Sequence, residues 1–385
     1  MGRRLIDILA IAPRGEYAGL EDGIGICLIM TMLESAPMEV LAHSVLAAAW
    51  KRADALVRAG NWRDAIDVLT EANREVPVLS VEQRLVCLRL HAFEQMPRQE
   101  NTACWPPDAL SGDCFQGLQG IPEIIPAQLT ANTLASGVLH HGALIVRGLL
   151  SGVTAAALAA DVERAVTARN ALVAGQLQTD NPWCAPPACL KKYALGVGRK
   201  FIAETGGVWA VDAPRALFHV MDTYEQLGLR SLLTQYFEDV PCLSVRKWVL
   251  RRVSPLPAEP DWHQDGAFMG LGVRSVNLWI ALNRCGGNLD TPGIDLIPRR
   301  LNTLVQTGTD GARFDWVVGP ALVEREFRDT PAVRPVFEAG DALFFDHTNL
   351  HRTAYSPSIT QPRYAIESWF FAAGKASDKQ IPMLF

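Results

Sequence analysis

The chain has 385 residues with a formal net charge of -5 and a sequence pI of about 5.9. That is enough for one large domain and a small one, and no basic surface points to nucleic acid. Eight cysteines, with no pair at Cys-x-x-Cys spacing, read as reduced thiols of a cytoplasmic protein, which excludes a disulfide scaffold.

Residues 1–38 form an N-terminal segment without a clear signature, and Met38 is an alternative start. The apolar run Ile24 to Leu33 is flanked by Glu21, Asp22 and Glu34 and is far shorter than the ~20 apolar residues of a membrane span. Asp7 interrupts the stretch after Arg3 and Arg4, against a signal peptide, and Ile6 fails the myristoylation pattern. No membrane association is expected.

Residues 39–100 read as a helical hairpin module. Leu46, Trp50, Ala53, Leu56 and Val57 recur at helical spacing, as do Trp62, Ala65, Ile66, Leu69, Ala72 and Val76. Gly60-Asn61 divides the helices, Pro77 follows the second, and Val81 to Met96 offers a third. Ala59 to Ile66 with Pro77 resembles one tetratricopeptide repeat. One repeat cannot close a core, so the module reads as a cap on the rest of the chain, on a second copy in a homodimer, or on a protein partner. Residues 101–126, with Trp105-Pro106-Pro107 and several glycines, read as a linker.

From 127 to 385 the pattern changes. His141-Gly142-Ala143-Leu144-Ile145-Val146-Arg147-Gly148 is a strand between turn residues, and Ser151 is placed to cap an Ala-rich helix. The stretch from about 165 to 240 gives no strand order, although 215–237 reads as helix. Arg246, Lys247, Arg251 and Arg252 precede the central motif and read as a solvated basic edge, with the alternative that one of them reaches the cosubstrate or an anionic substrate. Cys184 and Cys189 have the spacing of a zinc half-site, but no second cluster accompanies them.

The central motif is Trp262-His263-Gln264-Asp265-Gly266. Residues two apart on a strand share a face, so His263 and Asp265 point the same way. With His351 they make two imidazoles and a carboxylate, the facial triad suited to ferrous iron with open coordination positions. His347, at the end of the same strand as His351, is the rival. Arg363 opens the apolar strand Tyr364 to Phe371, where a buried guanidinium needs an anionic partner; its planar fork suits a carboxylate.

His263-Gln264-Asp265, Asn277 to Leu282, Gly293 to Pro298, Gly340 to Phe345, Leu350 to Thr353 and Pro362-Arg363-Tyr364 occur in an order that resembles the phytanoyl-CoA dioxygenase family of Fe(II)/2-oxoglutarate oxygenases. The resemblance spans roughly residues 125 to 375. It implies an α+β fold, with a double-stranded β-helix (jelly roll) catalytic domain buttressed by helices after the small helical module. It implies His263, Asp265 and His351 as iron ligands and Arg363 as the clamp on the distal carboxylate of 2-oxoglutarate. Thr353 would add a hydroxyl there, and Trp279 would pack against the cosubstrate. It further implies molecular oxygen as co-reactant and hydroxylation of an unactivated C–H of a small organic substrate, with 2-oxoglutarate decarboxylated to succinate.

Two departures stand out. About one extra residue separates the distal His from the Arg, which leaves Arg352 as a second candidate. Pro298-Arg299-Arg300 replaces a Pro-Gly-Ser-His turn. Asp265 stands where iron halogenases have a small residue, which favours hydroxylation. Phe268, Met269, Arg299, Arg300 and Trp316 are expected at the mouth. The alternatives are a cupin-like metal dioxygenase without 2-oxoglutarate, which Arg363 argues against, and an idle barrel serving as a scaffold, against which all three ligands are intact.

Overall fold

The computed structural model describes residues 38–97, 105–106, 110–176, 181–255, 259–269 and 272–385. Residues 1–37, including the apolar run near Ile24, lie outside the described residues. Helix α1 is Met38–Arg58, α2 Trp62–Glu75 and α3 Leu79–Gln95. The turn between α1 and α2 is made by Gly60 at φ +78°, a left-handed conformation that costs glycine little.

These helices do not close a core by themselves. Ala53, Ala65, Ile66, Leu69, Leu85 and Leu88 share one buried cluster with Phe218 and Leu384 from far downstream. Polar contacts hold the same seam. Arg63 and Arg89 donate to the carbonyls of Phe385 and Leu384, both at 3.3 Å, and Arg215 pairs with buried Glu82.

One expectation is overturned here. Cys87 on α3 and Cys189 form a disulfide across a separation of 102 residues, with Cα atoms 5.8 Å apart. The eight cysteines are therefore not all reduced thiols, and Cys189 is not a zinc ligand. Sequence spacing could not reveal the pair, because α3 meets residues 188–192 only through the docking just described. Lys192 and Tyr193 both bond Glu94 alongside it.

Strands β1 (Glu123–Ile124) and β2 (Ala143–Val146) are parallel; the sheet thus begins inside the stretch read as a linker. Between them lies α4 (Ala131–His141). Its N-cap Thr130 accepts from the Thr133 amide at 3.2 Å, and Gly142 ends it at φ +86°, where an added Cβ would lie 2.4 Å from the Arg299 carbonyl oxygen. Arg147 and the Gly148 amide both bond Asp341, at 2.7 Å each. Ser151 caps α5 (Gly152–Val173) by accepting from the Thr154 amide at 3.1 Å, as its sequence position suggests.

The stretch that gave no order in the sequence resolves into α6 (Gly196–Glu204), β3 (Gly207–Trp209), α7 (Pro214–Gln226) and α8 (Leu229–Phe237). Next come β4 (Pro241–Val253), the one-turn α9 (Gly266–Met269), β5 (Ser275–Ala281), β6 (Cys285–Gly286), β7 (Ile294–Leu296) and α10 (Pro320–Glu326). The chain closes with β8 (Val336–Phe337), β9 (Ala342–Phe345), β10 (His351–Thr353), β11 (Arg363–Ala372) and β12 (Pro382–Leu384).

The main sheet has eight strands, in the order β1-β2-β9-β5-β11-β4-β12, with β3 also paired to β4. Two small antiparallel pairs stand apart, β7 with β10 and β6 with β8. Side chains alternate across the main sheet. Leu278, Ile280, Phe344 and Ile366 join the cluster formed with α5, α7 and α8. Trp279, Leu343, Phe345, Ala365 and Trp369 face the other way, against Cys285, Ile294, Leu296 and Phe337 of the short strands. The structure is therefore a helical layer, a large sheet and a second layer of short strands. The space between the two strand layers is where the candidate residues converge.

Candidate metal centre

His263 lies just after β4, opposite the first residue of β10. The two histidines form an antiparallel bridge: the His263 amide donates to the His351 carbonyl at 3.0 Å, and the His351 amide returns the bond at 3.1 Å. Paired backbone brings the imidazoles together, with ring centroids 4.5 Å apart. Asp265 lies in a turn rather than on the extended strand its spacing suggested, yet its carboxylate reaches the same point, with Oδ2 3.8 Å from His351 Nε2. One ligand atom from each of His263, Asp265 and His351 lies within 4.8 Å of the others, the one such grouping found among the described residues.

Each imidazole is oriented from behind. Nδ1 of His263 is 3.3 Å from the Asp261 carbonyl, and Nδ1 of His351 is 3.1 Å from that of Asn349. A proton on Nδ1 leaves the Nε2 lone pair aimed at the shared point, the tautomer a metal requires. The carboxylate is divided in the same way. Lys247 Nζ donates to Oδ1 at 2.8 Å, so Oδ2 stays free on the histidine side.

Electrostatics agree with a cation site. Burial, reinforced by His351, lowers the His263 pKa to about 4, so the imidazole is neutral near pH 7. Burial alone would raise the Asp265 carboxyl, but Lys247 and the two histidines outweigh it and hold the pKa at about 2. The Asp265–Gly266 segment is fixed by Gln264, a buried side chain whose Nε2 donates to the Thr348 carbonyl at 2.6 Å and whose Oε1 accepts from the Val305 amide at 2.6 Å.

His347 is not part of this group. Its Nδ1 is 3.1 Å from Ser275 Oγ, and its carbonyl accepts from the Gly266 amide at 2.8 Å. It supports the turn that carries Asp265.

Arg363 is 2% exposed, one of the most deeply buried large side chains. It lies on the face of β11 that carries Ala365, with its guanidinium carbon 5.4 Å from the Trp279 ring centre. Nη1 donates to the Gly293 carbonyl at 2.7 Å, and the same oxygen accepts from the Ala354 amide at 3.0 Å, next to Thr353. Trp279 and Arg363 thus meet, and the backbone one residue past Thr353 reaches the same carbonyl. Burial lowers the Arg363 pKa. Its Nε, like the indole nitrogen of Trp279, is buried without a protein acceptor. An orphaned buried donor costs about 1–3 kcal/mol, and an anion between these two groups would remove both costs.

Arg352 is turned elsewhere. It bonds Asp295 at 3.1 Å, pairs with Glu259 and lies 4.5 Å over the Trp262 ring. The basic stretch on β4 is not a solvated edge: Lys247, Arg251 and Arg252 bind Asp265, Glu367 and Glu163, and of the four only Arg246 is exposed. Of the expected mouth residues, Met269 is fully buried, Arg299 stacks on Phe327 and Arg300 pairs with Asp346. Phe268 and Trp316 remain beside the site, with rings 5.9 Å apart. Sequence reasoning passed over Phe345, whose ring is 4.7 Å from that of His351, and Phe314.

No family profile matches the chain, and no curated protein matches it. Solved structures do. EctD from S. alaskensis, crystallised with 2-oxoglutarate and 5-hydroxyectoine, is 13% identical over 61% of this chain and 73% of its own, with a TM-score of 0.41. SnoK, a non-heme alpha ketoglutarate dependent carbocyclase from nogalamycin biosynthesis, is 15% identical over 60% and 79%, with a TM-score of 0.38. AviO1 from Streptomyces viridochromogenes Tue57 is 18% identical over 60% and 90%, with a TM-score of 0.36.

Proposed function

We propose that the protein is an Fe(II)/2-oxoglutarate-dependent oxygenase that hydroxylates an unactivated C–H of a small organic substrate. The observation that carries this reading is the pairing of the His263/Asp265/His351 group with a buried, acceptor-poor Arg363 across the space between the strand layers. The large sheet and the short strands β6, β7, β8 and β10 would be the two halves of a jelly roll. His351 lies on β10 and His263 is bridged to it through the backbone, while Asp265 sits in the turn that follows; ligands tied to such elements keep their geometry better than ligands on free loops.

The donor set, two imidazoles and one carboxylate, suits ferrous iron with positions left open. When bound, the iron and 2-oxoglutarate supply the oxidising chemistry, with succinate and carbon dioxide as coproducts. The chain's own residues orient and shield. The Asp261 and Asn349 carbonyls hold the Nδ1 protons, and Lys247 occupies one oxygen of Asp265. Arg363 would bind the far carboxylate of the cosubstrate, with Thr353 beside it and Trp279 packed along its length.

The test is anaerobic addition of Fe(II) and then 2-oxoglutarate. The expected result is a weak visible charge-transfer band, followed in air by succinate formation. Iron binding with neither band nor succinate would instead favour a metal dioxygenase that uses the triad without 2-oxoglutarate.

A further inference from the structure

The three triad residues are unequally covered. Asp265 and His351 are buried, the latter against Phe345, whereas His263 is partly open. Access to the site therefore runs over His263. There the edge of Trp316 meets the imidazole at 6.3 Å between ring centres. Phe314 stacks on Trp316 at 5.7 Å with an interplanar angle of 8°, and it is 54% exposed. Two stacked aromatic rings, Phe314 at 54% and Trp316 at 36% exposure, form an apolar aromatic patch beside the histidine, and stacking a further flat ring on an outer face would be favourable.

The same aromatic cluster carries a cation, since the Phe268 ring meets Trp316 at 5.9 Å. Lys247 Nζ lies 3.8 Å above the Phe268 ring and 2.8 Å from Asp265. A divalent cation on the triad would draw on the Asp265 charge that now balances Lys247. The ammonium, whose side chain is 26% exposed, would then keep part of its charge unmatched.

Building on the oxygenase reading, we infer that the substrate is a planar aromatic acid. Its ring lies on the Trp316 and Phe314 surface, its anionic group reaches Lys247, and the edge between them is presented to the metal. The aromatic surface selects a flat body, and the ammonium selects the charge. Trp316, Phe314 and Lys247 are therefore specificity residues of that site.

The experiment uses the full chain loaded anaerobically with Fe(II) and 2-oxoglutarate, with metal content measured in every sample. Equilibrium dialysis compares 2-naphthoate, its saturated counterpart decalin-2-carboxylate, and neutral naphthalene-2-methanol. The expected result is at least tenfold tighter binding of 2-naphthoate than of either analogue. Phe314→Ala, at an exposed position that leaves the core intact, and Trp316→Ala should each erase most of the preference for the flat ring. Lys247→Met should erase the preference for acid over alcohol. Equal binding of the flat and saturated acids, or wild-type discrimination in both aromatic variants, overturns the inference. Equal binding of naphthoate and the alcohol also overturns it. A chain that never takes up iron or 2-oxoglutarate overturns the oxygenase reading instead.

Discussion

At the residue scale, two histidines four positions apart have different environments, and this yields a sharp prediction. His351 has its Nδ1 against a carbonyl and its Nε2 towards Asp265, while His347 is engaged by Ser275. His351→Ala should abolish Fe(II) binding, measured as metal retained per chain, and with it succinate formation. His347→Ala should keep substantial amounts of both; equal and complete loss would invalidate the choice of distal ligand. The arginines separate in the same manner. Arg363→Leu should raise the apparent 2-oxoglutarate constant about a hundredfold, because a desolvated charge-assisted pair contributes roughly 1.5–3 kcal/mol. Arg352→Leu should change that constant far less, since its partners are Asp295 and Glu259. Iron affinity should change little in the Arg363 variant, and a comparable loss there would mean that the arginine shapes the triad. The convergence of His263, Asp265 and His351 was legible from residue type and spacing although Asp265 lies in a turn, and the burial of Arg363 from its place at the head of an apolar strand. Lys247 was misjudged because its partner, Asp265, becomes its neighbour only once the strands have folded together.

At the element scale, the strands that carry the site were readable, and so were α1 to α3, from period-two and helical apolar spacing. The stretch from 165 to 240 was not. Its helices α7 and α8 bury one face against α5 and the main sheet, and the three-residue β3 gains its identity only by pairing with Arg251, Leu250 and Val249 of β4. The disulfide was hidden for the same reason: Cys87 and Cys189 are neighbours only when α3 docks. Closing a loop of that length contributes on the order of 4 kcal/mol in the chain-entropy view. Cys87→Ser should therefore lower the thermal midpoint by several degrees, read by circular dichroism under oxidising conditions. Iron binding should be retained, since neither cysteine belongs to an element bearing the triad. An unchanged midpoint would mean that the bridge is redundant with the Lys192–Glu94 and Arg215–Glu82 pairs beside it.

At the scale of the whole molecule, the helical module and the sheet are joined by an edge. The main sheet ends at β12, and an uncovered edge strand is an invitation to pair with another chain. Helix α3 packs along β12 and α7, and Arg63 and Arg89 occupy the terminal carbonyls of Phe385 and Leu384. Phe218 and Leu384 lie in the same buried cluster as Leu85 and Leu88, so removing the module would expose apolar surface and an edge together. Burial of each such side chain stabilises by about 1.5–3 kcal/mol, and several are involved. A chain beginning at Ile121 retains β1, the main sheet and the triad. It should bind Fe(II) and turn over 2-oxoglutarate without substrate, yet melt well below the full chain and self-associate in light scattering. A monomeric truncation with an unchanged midpoint would make the module a mere appendage. A folded truncation that no longer binds iron would give the helices a part in shaping the metal site, through Phe93 of α3, which shares a buried cluster with Phe345 beside His351.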